Sequence, residues 1–335
     1  MGYLYAIALA VFCAGVAAWI PYRVWRHRLA GVDGTASTRP TFGLADGLAY
    51  FCLNMVVYLL TAPYLQGTFG LWGLIGTEAL LLLPALVMPR LVRVKPRDFF
   101  QLRFPTTRHT AGGVFLWFGT LLGASLGTTL LLMIFPSVQE NVDQLSDFIS
   151  SDGLTLALAA TVFAPAVCEE MFHRGVLLAS MRGRFKDSFI VVVAGLLFGV
   201  FHLDPARFLS TALLGMALAY AALRARSILL PMLLHFVNNL FSVGVTFFVK
   251  KLDIAQDTAE TALSELSEAQ TALLSLVGQG IFALIALTLI TIGYLLLRDP
   301  SRPLSARRNP LVIIAAGMAV VLAAQAVVSV GRLMG

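Results

Sequence analysis

Charged residues are scarce in this chain of 335 residues. Only 13% are Asp, Glu, Lys or Arg and 58% are hydrophobic, whereas about a quarter of the residues in soluble proteins are charged. The charges are also clustered, which leaves uncharged stretches of about twenty residues, the length that crosses a bilayer as a helix. A soluble globular protein is therefore excluded. The net charge of +6 indicates membrane topology rather than nucleic-acid binding, because the basic residues lie in short loops between apolar segments.

Cysteine is rare as well. Cys13, Cys52 and Cys168 lie in apolar segments without CxxC spacing, which argues against a disulfide framework and a thiolate metal site. The HExxH zinc motif and the GxGD aspartyl signature are also missing. The first apolar segment, 2–20, has no basic region before it and is therefore predicted to be a membrane helix rather than a cleaved signal peptide.

Apolar segments predict an all-α fold, a polytopic bundle of about ten transmembrane helices. Basic residues accumulate in cytoplasmic loops. Of the 24 Lys and Arg residues, 19 fall on one set of alternate loops and Arg174 lies near the cytoplasmic end of the fifth span, whereas Arg207, Lys250, Lys251 and Arg332 fall on the opposite side. Both termini are therefore predicted to be extracytoplasmic. The predicted spans are 2–20, 43–65, 69–87, 111–135, 155–181, 188–203, 208–223, 228–249, 272–297 and 311–330.

Three regions follow from the order of the spans. Residues 1–153 are predicted to form four N-terminal helices, and residues 154–250 a catalytic core of helices five to eight. Residues 251–335 would form an outer acidic segment followed by two more helices. The acidic segment, 253–270, is interpreted as a short surface helix, with a solvated linker as the alternative.

Polar residues concentrate in three predicted spans, where each ionisable group is costly and therefore a functional candidate. They are Glu169, Glu170, His173 and Arg174 in the fifth span, His202 in the sixth, and His235 and Asn239 in the eighth. Counted at about 1.5 Å per residue from the cytoplasmic basic residues, Glu169, His202, His235 and Asn239 lie about 14 to 24 Å deep. This agreement predicts one shared intramembrane cavity, slightly toward the outer side.

Helix geometry separates the two adjacent carboxylates, because side chains four positions apart share a face. Glu170 and Arg174 have this spacing, and their pairing would hold Glu170 ionised in the membrane interior. Glu169 points in another direction and is the freer carboxylate. It could take a proton from water for amide hydrolysis.

The remaining polar groups supply the other parts of such a reaction. His202 could act as a second base, while His235 and Asn239 could donate hydrogen bonds to the developing oxyanion. Glu169, His202 and His235 could instead hold a divalent metal ion such as zinc, whose bound water attacks. Residue types alone do not decide between these two mechanisms.

Three motifs follow one another on separate predicted helices. They are EExxxR at Glu169, Glu170 and Arg174, FxxxH at Phe198 and His202, and HxxxN at His235 and Asn239. In this order they resemble the CPBP family of CAAX prenyl endopeptidases and bacterial Abi-type, bacteriocin-associated membrane proteases. The resemblance covers about residues 155–249. It implies a glutamate-dependent intramembrane endopeptidase that acts on a peptide or protein substrate at the bilayer, expected in a bacterial cytoplasmic membrane.

The resemblance also implies residue roles. Glu169 and His202 are assigned to water activation, and His235 and Asn239 to oxyanion stabilisation. His173 departs from the family pattern, because the position before the motif Arg is usually apolar or aromatic. It is interpreted as pointing toward the basic cytoplasmic end, with an extra ligand or a proton shuttle as the alternative. Outside the motifs, Asp46 and Glu78 are expected to have a structural or gating role.

Other functions remain open from the sequence. Ser125 lies in a GxSxG pattern typical of a serine protease, but Gly123 and Gly127 also form GxxxG, a helix-packing signature that is the preferred interpretation. A proton-coupled transporter would use the same carboxylates and histidines, and the glycines and proline of the predicted spans eight and nine would permit broken helices. A non-catalytic immunity or scaffold protein on the same fold is a further alternative.

Overall fold

A computed structural model describes residues 42–249, 266–298 and 310–334, and the described chain is helical. The helices in chain order are α1 (Leu44–Leu91), α2 (Thr107–Ile134), α3 (Val138–Ser150), α4 (Leu154–Met181), α5 (Asp187–Phe201), α6 (Pro205–Ala225), α7 (Leu229–Val249), α8 (Glu268–Leu297) and α9 (Pro310–Met334), with a single turn at Pro96–Phe99 before α2. The all-α, polytopic membrane architecture predicted from the sequence is confirmed.

The predicted count of ten spans is wrong, since seven helices of the described chain are long and apolar enough to cross a membrane. The segment 2–20 lies outside the described residues, as does most of the acidic segment 253–270. The segments 43–65 and 69–87 both belong to α1. Segment 188–203 forms α5, whose 15 residues extend only about 22 Å, less than the roughly 30 Å of hydrocarbon.

The helix α1 folds back on itself at Gly70, whose φ of 53° and ψ of −130° are not helical and favour glycine. Gln66 Nε2 donates to Thr77 Oγ1 at 3.3 Å, although a straight helix would separate these positions by about 16 Å. Gly73 permits the approach, because a Cβ there would collide with the Leu65 carbonyl. The helix therefore consists of two packed arms, and the second carries Glu78.

The helix α4 changes its winding twice. Leu158–Phe163 and Met171–Leu177 are π-helical and flank the α-helical turns Ala164–Glu170. Such wide turns are rare and occur frequently at functional sites. The second π-helical segment begins directly after Glu170. The directions of the side chains that follow therefore cannot be counted at the 100° per residue of an α-helix.

Glycines bring α5 and α6 into close contact, as small residues do between membrane helices. A Cβ on Gly215 of α6 would lie 2.8 Å from Phe198 Cβ of α5, and a Cβ on Gly199 would lie 2.9 Å from the Phe208 carbonyl oxygen. This close approach fixes the position of Phe198, which is fully buried.

A larger residue at this contact is expected to destabilise the fold. Gly215→Leu should lower the free energy of unfolding by about 1 to 3 kcal/mol or more, because the two helices must separate. Gly244→Leu is the matched control, since nothing lies within 4 Å of a Cβ at that position, and it should change stability by less than about 0.5 kcal/mol. Thermal melting of the purified proteins in detergent measures both. Equal melting temperatures would contradict the expectation.

Candidate active site

A fully buried ion pair forms the base of the site. Arg174 Nη1 donates to Glu170 Oε1 at 2.7 Å, which confirms the pair predicted from the spacing of the two residues. The other guanidinium nitrogen, Nη2, donates to the Gly215 carbonyl at 3.0 Å. The guanidinium carbon also lies 4.5 Å from the centre of the Phe198 ring. Arg174 therefore connects α4 to α5 and α6.

His235 joins this ion pair from α7. Its Nδ1 lies 2.9 Å from Glu170 Oε1, the same oxygen that accepts from Arg174. A carboxylate paired with a guanidinium accepts hydrogen bonds, so Nδ1 of His235 carries the hydrogen. This leaves Nε2 available for a substrate. The sequence predicted the partner of Arg174 but not this second bond of Glu170.

His202 follows the last residue of α5. Its Nδ1 lies 2.9 Å from the Phe198 carbonyl oxygen, and because a carbonyl only accepts, Nδ1 is the protonated nitrogen and Nε2 holds the lone pair. The Phe198 ring centre lies 4.8 Å from that of His202 and 5.8 Å from that of His235. Side chains from all three motifs therefore meet around Phe198.

Asn239 has partners different from those of His235. Its Nδ2 donates to the Thr161 carbonyl at 2.8 Å, and its Oδ1 accepts from Asn238 Nδ2 at 3.1 Å. Asn238 is held in turn by Trp117 Nε1, at 3.1 Å. No hydrogen bond joins His235 to Asn239 among the described residues. The Asn239 amide could therefore donate to an oxyanion only after it releases the Thr161 carbonyl.

Glu169 is buried, with 7% of its surface exposed. Within the described part of the chain, its Oε2 has no hydrogen-bond partner. The carboxyl group lies in electrostatic range of His235, Arg174 and Arg207. Glu169 is therefore free of the Glu170 ion pair, as the spacing predicted, but lies close to its positive charges.

Glu78, for which the sequence suggests a structural or gating role, lies beside the site, a position that the sequence motifs do not predict. It lies on the second arm of α1, is 3% exposed, and its carboxyl group is within hydrogen-bonding distance of Glu169. A signal for this position exists in the sequence: Glu78 precedes Arg90 by twelve residues, which places it about 18 Å deep by the same count that was applied to Glu169.

His173 is fully buried among aromatic rings rather than in the polar group. The ring centres of Phe172, Phe198 and Phe201 lie 4.6, 4.9 and 5.1 Å from its own. Neither ring nitrogen has a hydrogen-bond partner among the described residues, which favours packing over a proton shuttle. Asp46 has a structural contact, because its Oδ2 accepts from the Gly43 amide at 2.8 Å where α1 begins.

The metal-binding alternative requires Glu169, His202 and His235 to converge. No group of three or more His, Cys, Asp or Glu side chains in the described regions is arranged to hold a metal ion. The Nδ1 atoms of both histidines are engaged by Phe198 and Glu170, which leaves Nε2 of each ring free, so the hydrogen bonds of the rings do not decide the question. Because the three side chains do not form such a group, they do not fit a metal ion in this arrangement, and the proposed mechanism contains no metal-dependent step.

The serine-protease alternative finds no support in the geometry. Ser125 is exposed on α2, and its hydroxyl donates to the Leu122 carbonyl of its own helix at 2.7 Å. A Cβ on Gly127 would lie 2.6 Å from Leu209 Cδ2, and one on Gly123 would lie 2.9 Å from Met318 Cε. These contacts favour helix packing as the role of the glycines.

The glycines and the proline that would permit broken helices in a transporter lie in continuous helices. The helix α8 continues through Gly278 and Gly280, and Pro231 lies in the first turn of α7, a position that proline tolerates. Neither feature interrupts its helix.

Comparison with known proteins identifies the region that carries the site. A family model described as Rce1-like, type II CAAX prenyl endopeptidase, matches residues 151–241. No curated protein and no solved structure matches the chain. The matched region includes α4, α5, α6 and most of α7, and with them every motif residue. Residues 151–241 of this membrane protein are therefore an Rce1-like domain of the type II CAAX prenyl endopeptidases, a family of proteases.

Proposed function

We propose that this chain is an intramembrane endopeptidase, which hydrolyses a peptide bond of a membrane-associated protein or peptide with water activated by Glu169 and His202. The observation that carries the proposal is the contact of all three motifs around Phe198, inside the region that matches a protease family. Residues 154–250 are the proposed catalytic core. The helices before and after it would pack around this core or control substrate entry.

The proton transfers follow from the available lone pairs. Glu169 takes a proton from water as the oxygen adds to the scissile carbonyl, and the Nε2 lone pair of His202 shares this role. The proton is then delivered to the leaving nitrogen, and the C–N bond breaks to give a carboxylate and an amine. Water is the nucleophile throughout, so no covalent intermediate with the protein forms.

The oxyanion requires hydrogen-bond donors. His235 can supply Nε2–H in its doubly protonated form, while its Nδ1–H is held by the Glu170 carboxylate. Asn239 can supply its amide after exchange from the Thr161 carbonyl. Donors of this kind in a site that excludes water contribute strongly to catalysis.

The proposed location is a bacterial cytoplasmic membrane, with both termini on the outer side. The substrate would enter from the bilayer or its surface, as expected for a site within apolar helices. Prenylated proteins, peptide bacteriocins and pheromones, and C-terminal tails of surface proteins are the candidate substrate classes.

The function is tested by comparing peptide termini in membranes from cells that express the wild type or Glu169→Gln at equal levels. We expect termini that occur only with the wild type, and these would also identify the substrate and its side of the membrane. Identical termini, with both proteins folded, would contradict proteolysis and favour a transporter or a non-catalytic scaffold. Substrate flux coupled to a pH gradient in proteoliposomes would then identify the transporter.

The two neighbouring histidines provide a further test. Both contact Phe198 at almost the same distance, but only His202 is assigned to water activation. His202→Ala should reduce kcat by about a hundredfold or more, the range of general-base catalysis. His173→Phe should keep kcat within about fivefold, because the new ring joins an aromatic cluster, with strain as the remaining cost. Single-turnover cleavage of an identified peptide measures both, and equal losses would contradict the assignment.

A further inference from the structure

A second buried carboxyl group lies beside the proposed base. Glu78, on the second arm of α1, is 3% exposed and lies within hydrogen-bonding distance of Glu169 on α4. The turns of α4 that carry Glu169, Ala164–Glu170, pack against α1. An ionised carboxylate only accepts hydrogen bonds. A bond between these two side chains therefore requires a proton on one of them.

One oxygen atom of each carboxyl group lacks a donor in the described structure. Oε2 of Glu78 and Oε2 of Glu169 are both buried without a hydrogen-bond partner among the described residues. Of the nearby donors, Arg174 Nη1 and His235 Nδ1 are bound to Glu170. Two adjacent carboxylates in an interior repel each other strongly when both are ionised. A single shared proton removes this repulsion and also supplies the missing donor.

The surrounding charges determine which carboxyl group is ionised. Several titratable or charged side chains face the pair. Tyr58 of α1 and Cys168 of α4 interact with both carboxyl groups, whereas Glu170 and Arg174 of α4, Arg207 of α6 and His235 of α7 act on Glu169. Three of the four groups that act on Glu169 alone are basic side chains, and no basic group of the described chain acts on Glu78 in the same way. These basic side chains favour a negative charge on Glu169 and a proton on Glu78.

We propose that Glu78 is a positioning residue, which donates a hydrogen bond to the Glu169 carboxylate and holds it oriented and ionised toward water. This inference rests on the proposed function, because Glu169 must be the base for its orientation to matter. It also gives the second arm of α1, which lies outside the matched domain, a direct role in the reaction.

Removal of the donor should change the pH dependence of cleavage. In Glu78→Leu, the Glu169 carboxylate loses a hydrogen bond to its ionised form, so the acid limb of the kcat/KM profile should move to higher pH. The expected shift is about one to two pH units, from the usual strength of hydrogen bonds to charged groups. The kcat should fall by about ten- to a hundredfold, with KM nearly unchanged. An unchanged profile and kcat would overturn the proposal.

Glu78→Gln tests whether the hydrogen bond to Glu169, rather than the carboxyl group of Glu78 itself, is what matters. Its amide can still donate to Glu169, so the acid limb should stay within about half a pH unit of the wild type. Thr77→Val is the matched control, because Thr77 is an equally buried polar residue of the same turn, bonded to the Leu74 carbonyl. It should lower stability without moving the profile. A shift in Thr77→Val equal to that in Glu78→Leu would indicate a merely structural role.

Infrared spectroscopy tests the shared proton without any activity. The purified wild type should show the C=O stretching band of a buried protonated carboxylic acid, and this band should disappear in Glu78→Gln. A band that persists in Glu78→Gln would overturn the proposal, even if Glu78→Leu fails to fold. A wild type that shows the band but cleaves no peptide would contradict the proposed function while supporting the carboxyl pair.

Discussion

Glu169→Gln is expected to reduce kcat for an identified peptide by about a thousandfold or more, with little change in KM or in melting temperature. The amide has the size of the carboxyl group but cannot take a proton from water, so the general-base contribution is lost. The fold should survive because Glu169 is not part of the Arg174 ion pair, and an amide costs less to bury than a charge. Steady-state cleavage by purified protein in detergent or proteoliposomes measures the effect.

Two further variants show whether the loss of activity comes from the missing carboxyl group at this position. Glu169→Asp retains the carboxyl group but moves it back by one methylene, so it should keep partial activity, with a loss of about a hundredfold. Glu140→Gln makes the same substitution at an exposed residue of α3 and should leave cleavage unchanged. Full turnover by Glu169→Gln would refute the proposed role of this residue.

Arg174→Met is expected to lower the free energy of unfolding by about 3 to 5 kcal/mol. The substitution leaves Glu170 buried without its guanidinium partner, and breaking a buried pair by removal of one member is strongly destabilising. The bond to Gly215 and the contact with Phe198 are lost at the same time. Unfolding in detergent with increasing denaturant, monitored by circular dichroism, measures the change.

An exposed ion pair of the same protein provides the control. Arg224 Nη2 lies 3.3 Å from Asp187 Oδ2, with both side chains partly exposed, so Arg224→Met should cost less than about 1 kcal/mol. The double variant Glu170→Gln with Arg174→Met should lose less stability than the sum of its single variants, because neither charge remains alone. Equal losses in Arg174→Met and Arg224→Met would contradict a structural role for the buried pair.

Local patterns in the sequence predicted most of the membrane architecture. Apolar length is sufficient to locate a helix, and the bounds of α2, α4, α7 and α8 lie within a few residues of the predicted segments. The ion pair of Glu170 with Arg174 was likewise predictable, since both residues lie on one helix at the spacing of a single turn. These features depend on residues close together along the chain.

Contacts between distant segments were not predictable in this way. The approach of Glu78 to Glu169 depends on the reversal of α1 at Gly70, and periodicity gives no information on how two helices pack. The bond of Asn239 joins it to Thr161, which lies in a π-helical turn, and such a turn shifts the angular positions that an α-helical count assumes. Apolar composition predicts a full span at α5 because it contains no signal that the helix ends at Phe201, just before His202.

The placement of Arg174 and Glu170 on one helix also has a consequence for biogenesis. Since the two charges lie one turn apart on α4, they can neutralise each other as soon as that helix forms, before any other helix has packed against it. Insertion of α4 into the bilayer during synthesis should therefore cost less than two separate charges would. His235 and the Gly215 carbonyl come from helices synthesised later, so they can bind to a pair that is already assembled.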